Sequence, residues 1–285
     1  MLVTGGCGFI GSAVLRNLVA AGYKSIINVD ALTYAGNEAT VVEETKYPGY
    51  HFEHADIRDL DQMRAIFSRH SPDAVMHLAA ESHVDRSIDG PGMFIETNIK
   101  GTYNLLEVVR DLDSRKNTSE RNIRFHHIST DEVYGTLGAE GLFSEDSRYD
   151  PNSPYSASKA ASDHLVRAWG ETFGVDIVVS NCSNNYGPYQ YPEKLIPVVI
   201  HRALADQPIP VYGKGDNVRD WLYVDDHADA LVTVMQSGLG GRTYNIGGDS
   251  ERTNLQVVRA ICSVLDDIKP RAGGSYEQLI EFVTD

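Results

Sequence analysis

The chain has 285 residues, of which 42% are apolar, and a formal net charge of −15 at pH 7. This length and apolar content predict a globular α/β protein with a substantial core. The excess of acids argues against a nucleic-acid groove or an anionic membrane surface as the main partner, although a local basic pocket for a phosphorylated small molecule is compatible with it.

The three cysteines are far apart in sequence and have no Cys-x-x-Cys spacing, so neither a disulfide framework nor a zinc site is expected. The N-terminal stretch opens directly on a strand pattern, with no basic segment followed by a long apolar run. It therefore predicts no signal peptide and no membrane span. Together these features lead us to expect a cytoplasmic protein without a bound metal.

The first element is a short apolar strand at residues 2–4 that runs into a glycine loop with G-x-x-G-x-x-G spacing, followed by a helical pattern. Such a loop makes a tight turn, lets the backbone approach a pyrophosphate and presents amide hydrogens at a helix N-terminus. A glycine trio alone is weak evidence, but here a strand precedes it and a helix follows it. The loop therefore predicts a dinucleotide site that includes Gly5, Gly8, Phe9, Ile10 and Gly11.

The second strand, at residues 25–29, ends on Asp30. A carboxylate there can accept hydrogen bonds from both ribose hydroxyls of an adenosine and would repel a 2′-phosphate, which favours NAD over NADP. The alternative is an Asp that starts a turn. A third strand, at 50–55, leads to Asp56 and Ile57, where Asp56 could reach the adenine amino group or instead cap a helix at 61–69.

A near-continuous apolar run at residues 74–80 predicts a strand covered on both faces. The small residues at its end, in Leu78-Ala79-Ala80, would let a flat cofactor lie against the backbone. The polar segment 81–87, which contains Ser82 and His83, is expected to be a substrate loop. Pro91 then begins a long helix whose apolar stripe is core or subunit interface, and Asn98 on this helix could hydrogen-bond the backbone of the neighbouring strand.

Two adjacent carboxylates, Asp131 and Glu132, follow a buried strand at residues 125–128. Ligands of open parallel sheets bind at the carboxyl ends of the strands, so these acids are expected to face a site. There one acid could give a proton while the other takes one. The alternative is that the Thr-Asp-Glu run only caps a turn or a short helix.

Tyr155 and Lys159 lie four residues apart at the start of a helix predicted to run to about residue 172, so they share a helix face. The ammonium group, like the positive nicotinamide ring of NAD⁺, would lower the pKa of the phenol. That would let Tyr155 act as a base towards a sugar hydroxyl. The motif Tyr-x-x-x-Lys is short, but its place after a glycine fingerprint and a series of strands makes it specific.

The second half of the chain is richer in loops, and residues 182–188 are predicted to leave a strand at 176–181 as a loop. Lys194, beside the start of a helix, suits a phosphate, and Arg219 offers a fork-shaped cation for a diphosphate. Solvated surface charge is the alternative for both. Residues 221–236 and a strand at 243–248 return to the first half, so we expect an NAD-binding domain of residues 1–182 and 221–247, and a substrate domain of residues 183–220 and 248–285.

At this point the chain resembles the extended short-chain dehydrogenase/reductase superfamily and, within it, the nucleotide-sugar 4,6-dehydratases. The most specific motif is the one that contains Asp131 and Glu132, because epimerases of this superfamily usually carry small or hydroxyl residues there. The resemblance implies an α/β fold with a Rossmann-type doubly wound parallel sheet and a smaller, sequence-interrupted substrate domain. The motifs that carry it are Thr4–Gly11, Leu78–Asp85, Ser129–Gly135, Tyr155–Lys159, Asn184–Pro188 and Arg219–His227.

The resemblance implies an NAD-dependent reaction on dTDP-glucose or a related nucleotide sugar. Tyr155, assisted by Lys159 and Thr130, would remove the proton of the sugar 4-hydroxyl while NAD⁺ takes the hydride. Glu132 would then abstract the hydrogen at carbon 5 while Asp131 protonates the departing 6-hydroxyl, and hydride return to carbon 6 would leave a 4-keto-6-deoxy sugar. Asp131 must hold a proton for this role, so we expect its pKa to be raised by burial and by the Glu132 charge.

The resemblance also implies the remaining binding residues. The cofactor contacts are expected to include Asp30, Asp56, Ile57, Leu78, Ala79, Ala80, Asn98, Tyr155, Lys159 and Asn185. The substrate contacts are expected to be Ser82, His83, Asn184, Lys194, Leu195, Pro210, Tyr212, Arg219 and Asn254.

Homodimerisation through the helices near residues 96–110 and 155–170 is a further expectation of the resemblance. Family members continue beyond residue 285 through an Arg- and His-rich segment and a final helix, so we expect the substrate domain to be truncated at its C-terminal end. Two alternative functions stay open: a nucleotide-sugar 4-epimerase, in which Asp131 and Glu132 would be idle, and a non-catalytic NAD-binding homologue.

Overall fold

The computed structural model describes residues 1–114, 122–137 and 141–284. Residue contacts divide the chain into two compact units. The first comprises Met1–Cys182 and Asp225–Ile246, and the second comprises Ser183–Val224 and Gly247–Asp285. The assignment of the first unit to the cofactor and the second to the substrate stays a prediction.

Strands alternate with helices up to residue 182. In chain order the elements are β1 (Leu2–Thr4), α1 (Phe9–Ala20), β2 (Ile26–Asp30), β3 (Tyr50–His54), α2 (Leu60–His70), β4 (Ala74–His77), α3 (Val84–Asp89), α4 (Pro91–Phe94), α5 (Thr102–Asp113), β5 (Arg124–Thr130), α6 (Pro154–Phe173) and β6 (Asp176–Cys182). Short 3-10 turns cover Glu38–Val41, Glu44–Lys46 and Asp131–Tyr134, and a π-helical segment, Ile95–Gly101, joins α4 to α5.

The rest of the chain contains shorter elements. They are β7 (Asn184–Tyr186), α7 (Leu195–Leu204), β8 (Ile209–Tyr212), β9 (Val218–Tyr223), α8 (Val224–Ser237), β10 (Thr243–Ile246), β11 (Glu251–Thr253), α9 (Asn254–Ile268) and β12 (Ile280–Val283). Of these, β10 and all but the first residue of α8 belong to the first unit.

The first unit contains a seven-stranded sheet with the order β10-β6-β5-β4-β1-β2-β3, and every neighbouring pair is parallel. Strand β1 pairs with β2 on one side and with β4 on the other, so Thr4 lies opposite both Val29 and His77. The strand order reverses there, and such a switch point is where open α/β sheets bind ligands. The predicted Rossmann-type fold is confirmed.

The inner strands of this sheet are buried along almost their whole length, which explains why their sequences are continuous apolar runs and do not alternate. Helical side chains complete the same core. The buried cluster includes Leu2, Val29, Phe67, Val75, Leu105, Phe125, Val166 and Ile177. This packed sheet gives a rigid base from which the polar residues at the strand ends project.

The second unit contains two small sheets of its own. One has the order β11-β9-β7, in which β7 and β9 are parallel and β9 and β11 antiparallel, and the other pairs β8 with β12 in parallel. Its separate core includes Val199, Ile209, Val211, Val258, Cys262 and Leu265.

Local predictions were wrong in three places. The expected loop at 81–87 contains α3 from Val84 onward, because the six residues Val84–Asp89 include no glycine or proline to stop a helical turn. The helix expected from Pro91 is interrupted by the π-helical segment. The expected loop at 184–186 is β7, whose pairing with β9 joins distant parts of the chain and leaves no local signal. Within the described ranges, no helix has the length and apolar content needed to cross a bilayer.

Candidate active site

The glycine loop between β1 and α1 is shaped so that side chains do not fit. Gly5 has φ +74°, and a Cβ there would lie 2.7 Å from the backbone nitrogen of Ala79. A Cβ on Gly11 would overlap the carbonyl oxygen of Gly5. The helix begins after Gly8 without a side-chain cap, so its first amide groups are available to an anion. This cradle fits the pyrophosphate of a dinucleotide.

Asp30 ends β2 beside this loop and is 8% exposed. Its carboxylate accepts hydrogen bonds from the backbone N–H of Cys7, at 2.9 Å, and of Leu32, at 2.8 Å. Burial raises the pKa of Asp30, and these two hydrogen bonds oppose the shift. The bond to Leu32 is that of a turn-starting Asp, whereas the bond to Cys7 fixes the carboxylate against the glycine loop. Its predicted contact with the adenosine ribose stays a prediction.

Asp56 follows β3 and forms a bidentate ion pair with Arg58, whose Nη2 lies 2.6 Å from Oδ2. The hydrogen bonds from Arg58 lower the pKa of Asp56. The alternative in which Asp56 caps α2 is wrong, because Asp59 is the cap and accepts from the N–H groups of Asp61 and Gln62. A contact of Asp56 with adenine stays a prediction.

A buried hydrogen-bond chain crosses the switch point. The ring of His77 lies 2.8 Å from the hydroxyl of Thr4 at Nδ1 and 2.9 Å from that of Thr102 at Nε2. Thr102 donates its proton to the carbonyl of Asn98, at 2.6 Å, and Thr4 accepts the backbone N–H of Ala79, at 3.2 Å. From this network we infer a neutral ring that donates from Nε2, and burial lowers the pKa of His77 well below 6.5.

Asn98 lies in the π-helical segment and is 1% exposed. Its amide oxygen accepts the N–H of Glu81, and its amide nitrogen donates to the carbonyl of Glu81 and to the hydroxyl of Ser158. The backbone carbonyl of Asn98 also accepts the hydroxyl of Ser162, at 2.6 Å. Asn98 thus holds the segment after β4 against α6. The predicted backbone bond is present, although beyond the end of the strand, and the cofactor contact of Asn98 stays a prediction.

The two acids occupy the 3-10 turn Asp131–Tyr134 directly after β5. Thr130 caps this turn by accepting the backbone N–H of Glu132, at 3.3 Å, and its hydroxyl lies 3.4 Å from Oδ1 of Asp131. The capping alternative is therefore correct for Thr130. It does not remove the acids from the site, because the same turn places them at the carboxyl end of a central strand.

Tyr155 lies in the first turn of α6, which starts with a Ser153/Ser156 capping box and Pro154. The phenol hydrogen-bonds Thr130, so the helix and the acid-bearing turn meet at one point. Although part of Tyr155 is accessible, burial raises its pKa well above 10, and the charge of Glu132 raises it further. The predicted lowering of this pKa is therefore absent from the protein without cofactor, in which desolvation outweighs any cation.

Lys159 lies one turn further along α6 and is 4% exposed. Its ammonium donates a 2.9 Å hydrogen bond to the carbonyl oxygen of Ile128 in β5. Burial lowers the pKa of Lys159, whereas the carboxylate of Asp163 opposes that shift. Thr130, Tyr155 and Lys159 are thus held against the same strand end, beside both acids.

A buried group that was not predicted from the sequence lies next to these residues. Asp163, one further turn along α6, is fully buried, and its Oδ1 lies 3.2 Å from Nε2 of His127, which is also fully buried. The hydroxyl of Tyr149 donates to its other oxygen at 2.8 Å. The spacing Tyr155, Lys159, Asp163 at intervals of four was the signal that could have identified it.

The predicted residues of the second unit lie on its strands and helix starts. Lys194 immediately precedes α7, and Arg219 in β9 pairs directly with Arg252 of β11. Two arginines that are directly opposite on neighbouring strands repel each other. A bound anion beside them would reduce this repulsion. Arg252 was not among the predicted residues. The others are Asn184 and Asn185 in β7, Leu195 at the start of α7, Pro210 and Tyr212 in β8 and Asn254 at the start of α9.

The remaining predicted residues of the first unit follow β3 and β4. Ile57 is buried, Leu78, Ala79 and Ala80 continue from the end of β4, and Ser82 and His83 precede α3, with His83 at its N-cap. In the part of the chain that the structure describes, no group of three or more His, Cys, Asp or Glu side chains could hold a metal ion.

Comparisons with known proteins show to which family the chain is similar. The sequence profile of the family described as GDP-mannose 4,6 dehydratase matches residues 2–282. The dTDP-glucose 4,6-dehydratase 1 of Escherichia coli strain K12 is 57% identical over 295 residues, which cover 100% of this chain and 81% of that protein.

Solved structures are also similar. The dTDP-glucose 4,6-dehydratase of Streptomyces venezuelae, solved with NAD bound, has a TM-score of 0.89 and 42% identity, and the match covers 100% of this chain and 84% of that one. The UDP-glucose 4-epimerase of Thermus thermophilus, in complex with NAD, has a TM-score of 0.83 and 31% identity, and the match covers 92% of this chain and 82% of that one.

Proposed function

The chain belongs to the GDP-mannose 4,6-dehydratase family, and we propose that it is an NAD-dependent 4,6-dehydratase of dTDP-glucose. One observation carries this proposal. The turn that contains Asp131 and Glu132 meets the hydroxyl of Tyr155 through Thr130, so two acids lie near the tyrosine that we propose as the base for oxidation. The identity of 57% to a dTDP-glucose dehydratase, against 31% to a UDP-glucose epimerase, supports the same choice.

The first unit has the features that NAD requires. Gly5 and Gly11 leave room for a pyrophosphate at the N-terminus of α1, and Asp30 ends β2 where a ribose would lie. Bound NAD would supply a reversible hydride acceptor for the oxidation at carbon 4 and the later reduction at carbon 6. Side chains of this protein carry out the proton transfers.

Oxidation at carbon 4 requires removal of the hydroxyl proton. In this proposal Tyr155 is the base, and Thr130 orients the same hydroxyl. The raised pKa of Tyr155 means that the phenol is protonated in the protein without cofactor. Binding must therefore add positive charge beside the ring before the phenol can act as a base. Oxidised NAD would supply that charge in addition to the ammonium of Lys159.

The 4-ketone acidifies the hydrogen at carbon 5. Glu132 removes this proton while Asp131 gives a proton to the 6-hydroxyl, which leaves as water, so a double bond forms between carbons 5 and 6. Hydride delivery to carbon 6 would complete the product, together with delivery to carbon 5 of a proton from Glu132 that has exchanged with solvent. This sequence explains why the two acids are neighbours, since base and acid act on adjacent carbons. The raised pKa that this role demands of Asp131 stays a prediction.

Product analysis tests the proposal. The chain is mixed with NAD and dTDP-glucose in heavy water, and the product is examined by mass spectrometry and NMR. A dehydratase gives a product that is lighter by one water and carries a solvent deuterium at carbon 5. A 4-epimerase gives a product of unchanged mass without that deuterium. Recovery of unchanged substrate under conditions where NAD binds would favour the non-catalytic homologue.

We further propose that the chain forms a homodimer through α4, the π-helical segment, α5 and α6. These helices expose large apolar side chains: Met93 is 47% exposed, Ile95 54%, Tyr103 40% and Phe173 47%. Sedimentation velocity on Ile95→Glu and Phe173→Glu should give monomers. Leu239→Glu, at a residue that is 66% exposed outside these helices, is the matched control and should sediment as the unaltered chain does.

We also propose a cytoplasmic location. All three cysteines are free and buried, as expected of a protein from a reducing compartment. Fractionation of the producing cells tests this, and recovery of the protein outside the cytoplasm would contradict it.

A further inference from the structure

The mechanism above does not use Asp163, although this acid is fully buried within α6. A carboxylate is rarely buried unless it is paired, because removing its charge from water is costly. One oxygen of Asp163 accepts the hydroxyl of Tyr149, at 2.8 Å, and Arg167 donates to the same hydroxyl, at 2.8 Å. The other oxygen faces Nε2 of His127, at 3.2 Å.

His127 does not supply a balancing positive charge. Burial lowers the pKa of His127 to about 4, so the ring is neutral near pH 7, and the pKa of Asp163 lies below its usual value, with His127 as the main favourable partner. Asp163 is therefore an anion beside a neutral imidazole. The buried cation nearest to it along α6 is Lys159, one helical turn away on the same face.

Lys159 is likewise a buried charge that needs a partner of opposite sign. Its ammonium is buried and donates to the carbonyl of Ile128, which carries only a partial negative charge. The groups that face the pair come from three strands and from the residues behind Asp163. They are His77 from β4, His127, Ile128 and Ser129 from β5, Cys182 at the end of β6, and Tyr149 with Arg167. In this set Asp163 is the full negative charge that can keep the ammonium protonated.

We propose that Asp163 is a positioning residue of the active site, which keeps Lys159 protonated and fixed on β5 so that the ammonium can act on Tyr155. This inference rests on the proposed function and extends it by one helical turn. Tyr155, Lys159 and Asp163 then form a single column along α6, in which the phenol is the reacting group and the carboxylate acts through the ammonium.

The test is the pH profile of kcat for Asp163→Asn, with Tyr149→Phe as the matched control. The amide has the size of the carboxylate but no charge, so Lys159 should lose its proton at lower pH. The alkaline limb of the kcat profile should therefore shift to lower pH by about one unit or more. Tyr149→Phe removes a hydrogen bond to the same carboxylate and leaves its charge, so its alkaline limb should stay in place even if stability falls. Asp163→Glu should restore the limb at least partly.

Two results would overturn the proposal: an unmoved alkaline limb in Asp163→Asn, or an equal shift in Tyr149→Phe. If Asp163→Asn does not fold, NMR of isotope-labelled lysine in the unaltered chain decides, with the Lys159 signal assigned by its loss in Lys159→Met. A charged Lys159 at pH 7 supports the proposal and a neutral one contradicts it. This titration needs no turnover, so its outcome is separate from whether the chain dehydrates dTDP-glucose.

Discussion

The ammonium of Lys159 donates a 2.9 Å hydrogen bond to the carbonyl oxygen of Ile128, two residues before Thr130 at the end of β5. This bond ties α6, which carries Tyr155, to the strand that leads into Asp131 and Glu132. The residue proposed as the base for oxidation and the acids proposed for elimination are therefore fixed to the same strand. Displacement of α6 or β5 would separate them.

The acids should control elimination without being needed for oxidation. Glu132→Gln keeps the size of the side chain but cannot accept a proton, so water loss should slow by about 10²- to 10⁴-fold while reduced cofactor accumulates. Asp131→Asn should slow water loss because the amide is not a proton donor of comparable acidity. Single-turnover absorbance of NADH, combined with product mass, measures both steps.

The exposed acid Asp146 supplies the control for these variants, and Asp146→Asn should turn over as the unaltered chain does. Formation of the 6-deoxy product at the normal rate by Asp131→Asn would show that the role assignment is wrong.

The ionisation of Tyr155 should depend on NAD⁺. Burial holds its pKa well above 10 in the protein without cofactor. The base form exists above the pKa, so a positive nicotinamide ring, which lowers the pKa, should bring the phenolate to lower pH. Ultraviolet difference titration of the unaltered chain against Tyr155→Phe, with and without NAD⁺, isolates this one tyrosine. Ionisation below pH 10 without NAD⁺ would contradict the structure.

The glycine loop should not tolerate a methyl group at Gly11. Because the added Cβ would overlap the carbonyl oxygen of Gly5, Gly11→Ala should lower the free energy of unfolding by about 1–3 kcal/mol and weaken NAD binding. Gly92→Ala is the control, since a Cβ there meets no atom within 4 Å, and replacing a helical glycine by alanine should be neutral or slightly stabilising. Thermal unfolding with and without NAD checks both. Equal behaviour of the two variants would refute the predicted clash.

The fold should lose stability in mild acid. Burial lowers the pKa of His126 to about 3 and that of both His127 and His227 to about 4, from 6.5 in the unfolded chain. Below pH 6.5 the folded state therefore binds fewer protons than the unfolded state. The free energy of unfolding falls as the pH decreases from 6.5 towards 4, by up to about 1.4 kcal/mol per pH unit for each such histidine. Urea unfolding at pH 7, 6 and 5 measures this.

His126→Gln removes one of these groups and should flatten the pH dependence, whereas exposed His201→Gln should leave it unchanged. If unfolding free energy is independent of pH between 7 and 5, these histidines do not titrate as the structure requires.

Much of the first unit could be predicted from the sequence, because its signals are local. The glycine loop identifies the junction of β1 and α1. The buried parallel strands are recognisable as short apolar runs. The spacing of Tyr155 and Lys159 on one helix face, and the position of Asp131 and Glu132 after β5, follow from helical periodicity and strand order. Each of these features depends on residues within a few positions of one another.

The remaining features depend on distant partners. The strand at Asn184–Tyr186 exists because it pairs with β9. The burial of Asp163 likewise depends on His127 and Tyr149, which are far from it in sequence, although its spacing from Lys159 is a local signal. Asp59 and not Asp56 caps α2, since Arg58 engages Asp56. Sequence spacing alone does not distinguish two acids three positions apart that compete for one helix start.

The π-helical segment Ile95–Gly101 has a consequence for the register of everything that follows it. Each residue of an α-helix advances the chain by about 100° around the axis. Because the wide turn holds one extra residue, removing one residue here would let the segment relax to an α-helix with α5 in nearly its present orientation. Conversion to an α-helix with every residue kept would instead turn α5 by about that angle. Thr102 would face away from His77, and the chain of hydroxyls that now spans the switch point would be cut. The wide π-helical turn thus keeps Thr102 oriented towards His77.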